Sequence, residues 1–484
     1  MTEQPRGDRV GAIEMNGINP IPDAERHGSP FELFWVWFAA NVAVLGIVYG
    51  VIIAGMGLNI WQSALTALVG CVASFTLVGV LSIAGTWSGA PALTLSRAPF
   101  GPRGNLGPTL ISWISLVGWE TALVVTATYA LLGLLNLAGI PSTTPWTVAC
   151  LVVISCCVVA LGLLGHATLV WIQRAATYVF GVITLVIVVF LVGRTNWHTV
   201  FSAPPGPWDS GVLAALTIIA AGTGIGWVNS GADYARYLPR SSSSRAIVGW
   251  TVFGASLPLF ILIMVGVLLT SATTGLGSAA NPISAIGAVL PSWMAAPYLL
   301  TAIGGLIAGA DLDIYSSGLN LLALGLPVRR YQAVFVDGVL MIAGSIYILL
   351  IVKGFLGPFE TFLSLLADAL TAWAAVFLVD MVVRRRAGYD PASLVNTGSS
   401  GRYYGRGGVN PAALIAWLAG LVVGLLFTST STSLFHGPLA KGVFAASNIG
   451  YFLGFIVSVV LYAALWRWGA RETAAPGVVR GARP

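Results

Sequence analysis

Apolar runs of about 20 residues recur along almost the whole of this 484-residue chain, and each is long enough to cross the ~30 Å hydrocarbon core of a bilayer. Only 8% of the residues are charged, whereas a soluble domain carries about 25%. A chain this poor in charge cannot cover its own surface in water. The sequence therefore predicts an all-α polytopic membrane protein, because helices satisfy their backbone polar groups within the lipid.

We predict twelve spans from the apolar runs. Residues 146–193 are also compatible with one re-entrant hairpin, although their length favours two crossings. The spans lie at residues 31–55, 60–85, 108–136, 146–165, 168–193, 211–234, 248–271, 294–324, 332–352, 358–384, 411–429 and 442–467.

The basic residues are distributed unevenly between the two sides of this predicted topology. All but three of the 23, namely Arg194, Lys353 and Lys441, fall on one side. The positive-inside rule makes that side cytoplasmic, so we expect both termini in the cytoplasm and the chain in the plasma (inner) membrane. Because these residues mark the ends of spans and form no patch, the net charge of +6 does not indicate nucleic-acid binding.

The spans divide the chain into six predicted regions. The first ~25 residues and the tail after Arg471 are expected to be disordered. The regions are a cytoplasmic N-terminal segment (1–28), a first repeat of five helices (29–193), a second repeat of five (194–386), a cytoplasmic loop (387–410), two further helices (411–468) and a cytoplasmic tail (469–484).

Two spans carry helix-breaking sequences at corresponding places. Span 1 contains FAANVAVLG and span 6, five spans later, contains AGTGIGWVNS. Paired broken helices are the sequence sign of an inverted-repeat transporter whose binding site lies near the bilayer midplane. We therefore expect five-plus-five repeats with broken helices 1 and 6, plus two C-terminal helices.

Acidic residues deep within spans are functional candidates by default, because an unpaired carboxylate in hydrocarbon is costly. Such a group must be protonated, paired or in contact with water, and it can serve as a proton carrier or as a hydrogen-bonding contact between helices. The candidates are Glu120 in span 3, Asp311 and Asp313 in span 8, and Asp368 in span 10.

Trp119 and Trp227 lie in mid-span, away from the interfacial belt that most membrane tryptophans occupy. Two such rings can hold a flat heteroaromatic solute by stacking. The amides of Asn41 and Asn229 match the donor and acceptor edge of a nucleobase. Packing and helix–helix hydrogen bonds are the alternative roles for all four.

Asp233 and Arg236 follow at the cytoplasmic end of span 6, where an acid–base pair is expected to fix a loop or gate. The sequence has no Walker loop, HExxH or GxSxG motif, and its four cysteines lie in apolar runs without metal-ligand spacing. We expect no enzymatic activity, no cofactor and no metal site.

Five sequence pieces, in this order and spacing, resemble a known family. They are GSPFELFWVWFAANVAVLGIVYG, SRAPFGPRGN, LVGWE, GIGWVNSGADYARYLP and DIYSSGLNLLALG, between Gly28 and Trp468. The chain resembles a bacterial member of the purine/cytosine permeases, the first nucleobase:cation symporter family. The resemblance implies alternating access and uptake of a nucleobase or related ring with a coupling ion.

The resemblance also implies roles for particular residues. Trp119 matches the family's helix-3 tryptophan; a shifted alignment instead places Leu116 there and Glu120 at a family glutamine. Gly224, Gly226 and Trp227 match an unwound stretch whose backbone meets the ring.

The sodium site of sodium-coupled members maps onto carbonyls near Ala40 and Ala43 and onto the helix-8 stretch containing Gly305, Ala308 and Gly309. That stretch offers no side-chain oxygen, although hard cations need several oxygen ligands. We therefore expect proton coupling through Glu120 or Asp311 rather than sodium coupling.

Together these observations predict a secondary-active importer of a planar nitrogen heterocycle of the cytosine, purine, uracil, hydantoin or allantoin class. Trp119, Trp227, Asn41, Glu120, Asn229 and the backbone at Gly224 and Gly226 form its predicted substrate site. An amino-acid or amine transporter on the same fold is the alternative, with the ammonium paired to Glu120. We expect a monomer whose partners are the small substrate and the lipid bilayer.

Overall fold

The computed structural model of the chain describes residues 9–14, 16–272, 276, 282–352, 354–386, 388–430 and 434–469. Helices that follow the twelve apolar runs make up the body of the fold. They are α1 (Glu32–Asn41 and Leu45–Gly55), α2 (Ile60–Ser88), α3 (Leu106–Leu137), α4 (Thr144–Gly162), α5 (His166–Arg194), α6 (Trp208–Ile225 and Gly231–Ala235), α7 (Ser244–Ala272), α8 (Ser292–Ala323), α9 (Arg330–Val352), α10 (Leu356–Arg384), α11 (Pro411–Phe427) and α12 (Gly450–Gly469).

Within the described part of the chain, ten helices are individually long and apolar enough to cross a membrane. The two segments of α1 pass the same test as a bent pair, and α11 is a shorter apolar helix. The all-α polytopic fold class is therefore confirmed. The count of twelve spans is reached when α1 and α11 are included.

Two details of the predicted spans are settled by local structure. Residues 146–193 form two helices, α4 and α5, and each is long and apolar enough to cross a membrane, which favours two crossings over a re-entrant hairpin. The predicted start of span 12 at residue 442 is wrong, because α12 begins at Gly450. Asn448 adopts a left-handed conformation (φ 53°) that ends the preceding short helix.

Small residues allow the helices to approach closely, as is usual in membranes. A Cβ atom on Gly50 of α1 would lie 2.0 Å from the Ile263 carbonyl oxygen of α7, and one on Gly266 would lie 2.1 Å from the Ile47 carbonyl oxygen. Glycine at both positions therefore lets α1 and α7 pack backbone to backbone.

The segment before α1 packs on one end of the bundle, so the expectation of disorder is wrong for its described residues. Ile21 is 2% exposed, and its N–H donates to the Gly89 carbonyl at 2.9 Å. The Gly165 N–H, between α4 and α5, donates to the Ala12 carbonyl at 3.0 Å. We call the bundle end that this segment covers the N-terminal face.

Arginines from the predicted basic side gather at this N-terminal face. Arg97 donates to the Ala323 carbonyl at 2.9 Å, and Arg330 donates to the Gly162 carbonyl at 3.1 Å. They hold the ends of α4 and α8, which would otherwise leave carbonyls without partners. The predicted tail from residue 470 onward lies outside the described residues.

Candidate substrate site

Helices α1 and α6 are both interrupted within the bundle, as the sequence predicts. The two segments of α1 meet at a bend of 57°. In α6, Thr223 has a non-helical backbone (φ −114°, ψ −111°), and a turn at residues 228–230 precedes the second segment. These interruptions release backbone groups in the interior of the protein.

Close contacts explain why the interruption in α6 is rich in glycine. A Cβ atom on Gly224 would lie 2.3 Å from the Ser74 carbonyl carbon of α2. The Gly224 N–H donates to Ser74 Oγ at 3.1 Å, and Tyr49 Oη donates to the Gly222 carbonyl at 2.6 Å. The Gly224 N–H therefore faces α2, whereas the sequence analysis assigned it to the substrate.

A cavity of about 30 Å³ lies between the two interruptions. Asn41, Trp119 and Trp227 line it together, with Ala40 and Ala43 from the α1 break. The structure thus brings together residues that the sequence analysis selected from three separate helices. The cavity of about 30 Å³ is large enough to hold water, and binding of a heterocycle should enlarge it.

Trp119 is buried between the α6 break and α10. A Cβ atom on Gly226 would lie 2.9 Å from its Nε1 atom, and the rings of Phe359 and Phe362 meet it edge-on at 5.7 and 5.8 Å. Its indole N–H has no hydrogen-bond partner among the described residues. Since a buried indole N–H usually finds a partner, this donor is available to a ligand.

The other predicted ring and the two amides differ in their surroundings. Trp227 meets Trp37 edge-on at 5.5 Å, and Asn41 Nδ2 donates to the Trp37 carbonyl at 2.8 Å. Asn229 Nδ2 instead donates to Ser112 Oγ at 2.7 Å and is fully buried. Asn41 therefore faces the cavity, whereas Asn229 joins α3 to the α6 segment next to it.

Glu120 points away from the cavity, although Trp119 precedes it directly. Neighbouring residues on a helix differ in direction by about 100°. Ser317 of α8 lies 2.6 Å from Glu120 Oε1 and 2.9 Å from Asp337 Oδ2 of α9. The placement of Glu120 at the edge of the substrate is therefore wrong for this conformation.

The predicted ion-coupling stretch of α8 lies directly against the α1 break. A Cβ atom on Gly305 would lie 2.9 Å from the Val42 carbonyl oxygen, and one on Gly309 would lie 3.7 Å from the Ala40 carbonyl oxygen. The Ala308 carbonyl already accepts a hydrogen bond from Gln173 Nε2 at 2.8 Å. Glycine here brings α8 close to the carbonyls of α1 without adding a side-chain ligand.

Two carboxyls follow this stretch of α8, and a third lies in α10. Asp311 and Asp313 are 2% and 1% exposed, and neither Asp313 oxygen has a hydrogen-bond partner among the described residues. Asp368 of α10 accepts a hydrogen bond from Thr428 at 2.8 Å. Asp368 therefore joins α10 to the end of α11.

Asp233 and Arg236 find separate partners at the N-terminal face, whereas the sequence analysis paired them. Asp233 Oδ1 accepts the Ala92 N–H at 2.7 Å. Arg236 forms a buried ion pair with Glu14 and donates to the Gly17 carbonyl at 2.7 Å. The ion pair between Glu14 and Arg236 holds the N-terminal segment against the end of α6, and we call this contact the lock.

Tyr315 of α8 joins this lock by accepting a hydrogen bond from Arg236 at 2.9 Å. Burial alone would raise the pKa of Glu14, but the nearby Arg236 and Arg330 guanidinium groups outweigh it, and the pKa lies below its ordinary value. Glu14 is therefore an anion at neutral pH, and the lock is an ion pair.

Two larger cavities flank the central one. One of about 210 Å³ lies between α3, α9 and α10, with Thr121 and Tyr347 among otherwise apolar side chains such as Phe362. The other, of about 230 Å³, contains Glu360, Ser364 and Asn448 and extends to Ala221 in α6. The first has too few polar groups to recognise the edge of a heterocycle; the second adjoins the α6 break.

The sequence analysis missed Asp337, Ser317, Trp37 and Glu14. Asp337 was detectable, because it is an acid inside an apolar run, the same signal that selected Glu120. Nothing in the sequence distinguishes Ser317 or Trp37 from other small or aromatic residues of the spans. The role of Glu14 depends on a contact more than 200 residues away and required the structure.

A family described as "Permease for cytosine/purines, uracil, thiamine, allantoin" matches residues 20–454. The chain belongs to this family of permeases. A putative purine-cytosine permease of Bacillus subtilis is 24% identical over 465 residues, covering 94% of this chain and 96% of that protein. A purine-cytosine permease of Emericella nidulans is 25% identical over 476 residues, covering 94% and 88%.

Solved structures share the fold of the permease. The closed conformation of Mhp1, a nucleobase-cation-symport-1 family transporter with bromovinylhydantoin bound, matches with a TM-score of 0.73 at 21% identity, covering 94% of this chain and 95% of Mhp1. The inward-facing conformation of Mhp1 matches with a TM-score of 0.69, covering 96% and 95%. The permease is thus a multi-pass membrane transporter and not an enzyme.

Proposed function

We propose that the permease imports a nucleobase or a related planar nitrogen heterocycle by alternating access. The observation that carries the proposal is the single cavity that Trp119, Trp227 and Asn41 line between two interrupted helices. Two indoles provide stacking surfaces, and the free Trp119 N–H and the Asn41 amide provide polar contacts to a ring edge. The named substrates of the family and its purine-cytosine relatives belong to the same chemical class.

The distribution of charge supports one orientation of the permease in the membrane. The arginine-rich N-terminal face is cytoplasmic by the positive-inside rule, with both termini inside the cell and the protein in the plasma (inner) membrane. The 230 Å³ cavity at Glu360 and Asn448 is then the entry vestibule, because it reaches Ala221, the neighbour of Gly222 at the central cavity. The permease acts as a monomer, and residues 29–193 and 194–386 are its two repeats.

Protons, not sodium ions, are proposed to drive uptake. Supporting this is the α8 stretch from Gly305 to Ala310, which offers no side-chain oxygen to a cation. The buried carboxyls of Glu120 in α3 and Asp311 in α8 provide proton carriers. Uptake that persists without sodium and stops with a protonophore is expected; strict dependence on sodium would refute this part.

The substrate class is tested by binding and uptake with purified protein. A thermal-shift screen of cytosine, adenine, uracil, allantoin and hydantoin identifies the compound that best stabilises the protein, because a ligand of the folded state raises its melting temperature. Saturable uptake of that compound into proteoliposomes is the expected result. Failure of the whole panel to stabilise the protein or to enter the vesicles would contradict the proposal.

An amino-acid or amine carrier on the same fold is the competing function. In that function the ammonium group would pair with Glu120, but Glu120 bonds to Ser317 behind the cavity wall. Competition by unlabelled cytosine or adenine is expected for a heterocycle permease. Competition by amino acids alone would support the alternative.

A further inference from the structure

Behind Trp119, three polar side chains from three helices meet around one hydroxyl group. Ser317 Oγ of α8 lies 2.6 Å from Glu120 Oε1 of α3 and 2.9 Å from Asp337 Oδ2 of α9. The three residues are at most 2% exposed. The cluster therefore joins the helix that carries Trp119 to α8 and α9 without contact with water.

A count of hydrogens shows what this geometry requires. A serine hydroxyl has one hydrogen to donate, yet Ser317 Oγ is within hydrogen-bond distance of two carboxyl oxygens, with the Ile314 carbonyl oxygen further away at 3.3 Å. It can donate to only one of them. The other carboxyl must donate to the serine oxygen, so at least one of Glu120 and Asp337 holds a proton in this conformation.

The surroundings of the two carboxyls differ. Asp337 Oδ1 accepts a second hydrogen bond, at 2.7 Å, from the indole N–H of Trp113. Glu120 Oε2 is buried and has no hydrogen-bond partner among the described residues. A negative charge is therefore better stabilised on Asp337, and the proton resides on Glu120.

We propose that Glu120, Ser317 and Asp337 form the proton-binding site that couples transport to the proton gradient. This inference rests on the proposed function and deepens it, because it selects Glu120 over Asp311 and adds Asp337. The hydrogen-bonded chain runs from the Glu120 hydroxyl to Ser317 Oγ, and from the Ser317 hydroxyl to Asp337 Oδ2. When Glu120 gives its hydrogen to Ser317 and Ser317 gives its own to Asp337, one proton has moved and the serine is unchanged.

Other charged groups near the site favour a bound proton. Asp313 lies one turn earlier on α8, near enough for its charge to act on Glu120, and its carboxyl oxygens have no hydrogen-bond partner among the described residues. Arg330, at the start of α9, lies over the Tyr315 ring at 4.8 Å instead of entering the cluster. Loss of the proton would thus leave Glu120 and Asp337 both negative, with a further acid nearby.

The interrupted helix α6 contacts neighbours of this site at two points, one at its break and one in its second segment. Trp119, the neighbour of Glu120, touches the α6 break at Gly226. Ser316, the neighbour of Ser317, lies 3.0 Å from the Tyr234 hydroxyl in the second segment of α6. A change of protonation at this site can therefore alter the central cavity through α3. It can alter the N-terminal face through α8.

The test separates coupling from transport in proteoliposomes that contain the full chain. The probe is the panel compound that best stabilises the protein, measured as exchange without a gradient and as accumulation under an inward pH gradient of about one unit. One pH unit is about 1.4 kcal/mol per proton, enough for about tenfold accumulation with one proton per substrate. Wild type should show both activities.

Glu120→Gln and Asp337→Asn should keep exchange but lose the accumulation, since each removes one of the two groups between which the proton moves. Asp368→Asn is the matched control, because Asp368 is also a buried acid within a span but bonds to Thr428. It should retain both activities. Asp311→Asn tests the rival proton carrier, and it should lose accumulation only if Asp311, and not the cluster, binds the coupling proton.

Other results would overturn the inference or the proposed function separately. Accumulation by Glu120→Gln and Asp337→Asn equal to that of the control, or its loss only in Asp311→Asn, refutes the proton site while the permease function stands. Absence of exchange in wild type refutes the permease function instead. If Glu120→Gln does not fold, as judged by its thermal unfolding, Asp337→Asn on a different helix decides the question.

Discussion

Removing the charge of Glu14 should strongly destabilise the docked N-terminal segment, because its ion pair with Arg236 is buried. Glu14 is 2% exposed and Arg236 is 0% exposed in their ion pair. Glu14→Gln keeps the shape of the side chain but leaves a buried guanidinium without its counter-charge. Breaking a buried pair by removing one partner costs about 3–5 kcal/mol.

This cost falls mainly on the conformation in which the N-terminal segment is docked. Every 1.4 kcal/mol corresponds to tenfold in an equilibrium constant, so the undocked state should gain about 100- to 3,000-fold in population. Hydrogen–deuterium exchange measures such local openings directly. Peptides that cover Glu14 and Arg236 should lose protection by this factor in Glu14→Gln.

Asp23→Asn provides the matched control. Asp23 pairs at 2.7 Å with Arg240, which, like Arg236, lies between α6 and α7. The Asp23 side chain is, however, 66% exposed. Water already stabilises both partners of such a pair, so protection should change little. If Glu14→Gln and Asp23→Asn change protection equally, the inference that burial makes the Glu14 pair a lock is wrong.

Three further predictions concern the cavity, the α6 break and pH. Trp119→Ala should weaken binding of the best panel compound by about 3- to 10-fold or more, since stacking contributes ~0.5–1.5 kcal/mol beyond area burial; Trp61→Ala, whose ring is 68% exposed, should not. Gly224→Ala should lower the thermal stability of the purified protein by about 1–3 kcal/mol through overpacking, because its Cβ would lie 2.3 Å from the Ser74 backbone. Gly249→Ala, with no atom within 4 Å, is its control. Because the folded pKa of Glu14 is depressed, its contribution is complete above its ordinary value of 4.5 and is lost as pH falls through the depressed pKa. Protection of the Glu14 peptide should thus be constant from about pH 5 to about pH 8 and fall only in stronger acid, and a decline near neutrality would refute the ion-pair assignment.

The sequence predicted the membrane helices and their two interruptions because both depend on local composition. Apolar length determines a span, and the AGTGIG stretch coincides with the place where Thr223 leaves the helical conformation. The prediction fails at a helix boundary that a single residue determines. The left-handed Asn448 delays α12 by eight residues relative to the apolar pattern.

The site was predictable only in part, because direction around a helix decides which neighbour a side chain meets. Trp119 and Glu120 are adjacent in sequence, yet the first lines the cavity and the second faces α8 and α9. Contacts between residues far apart in the sequence could not be predicted either. The N-terminal segment looked polar and disordered, but Ile21 and Glu14 become buried once the ends of α2, α6 and α8 are assembled beneath it.

A ligand-bound structure of the permease would show directly where the substrate lies. With the best panel compound bound, its ring should lie between Trp119 and Trp227, with Asn41 at its edge. The central cavity, of about 30 Å³ in the present conformation, should widen around the ring. A ring found instead in the 210 Å³ apolar cavity beside Phe362, with the two indoles in unchanged contact, would contradict the account.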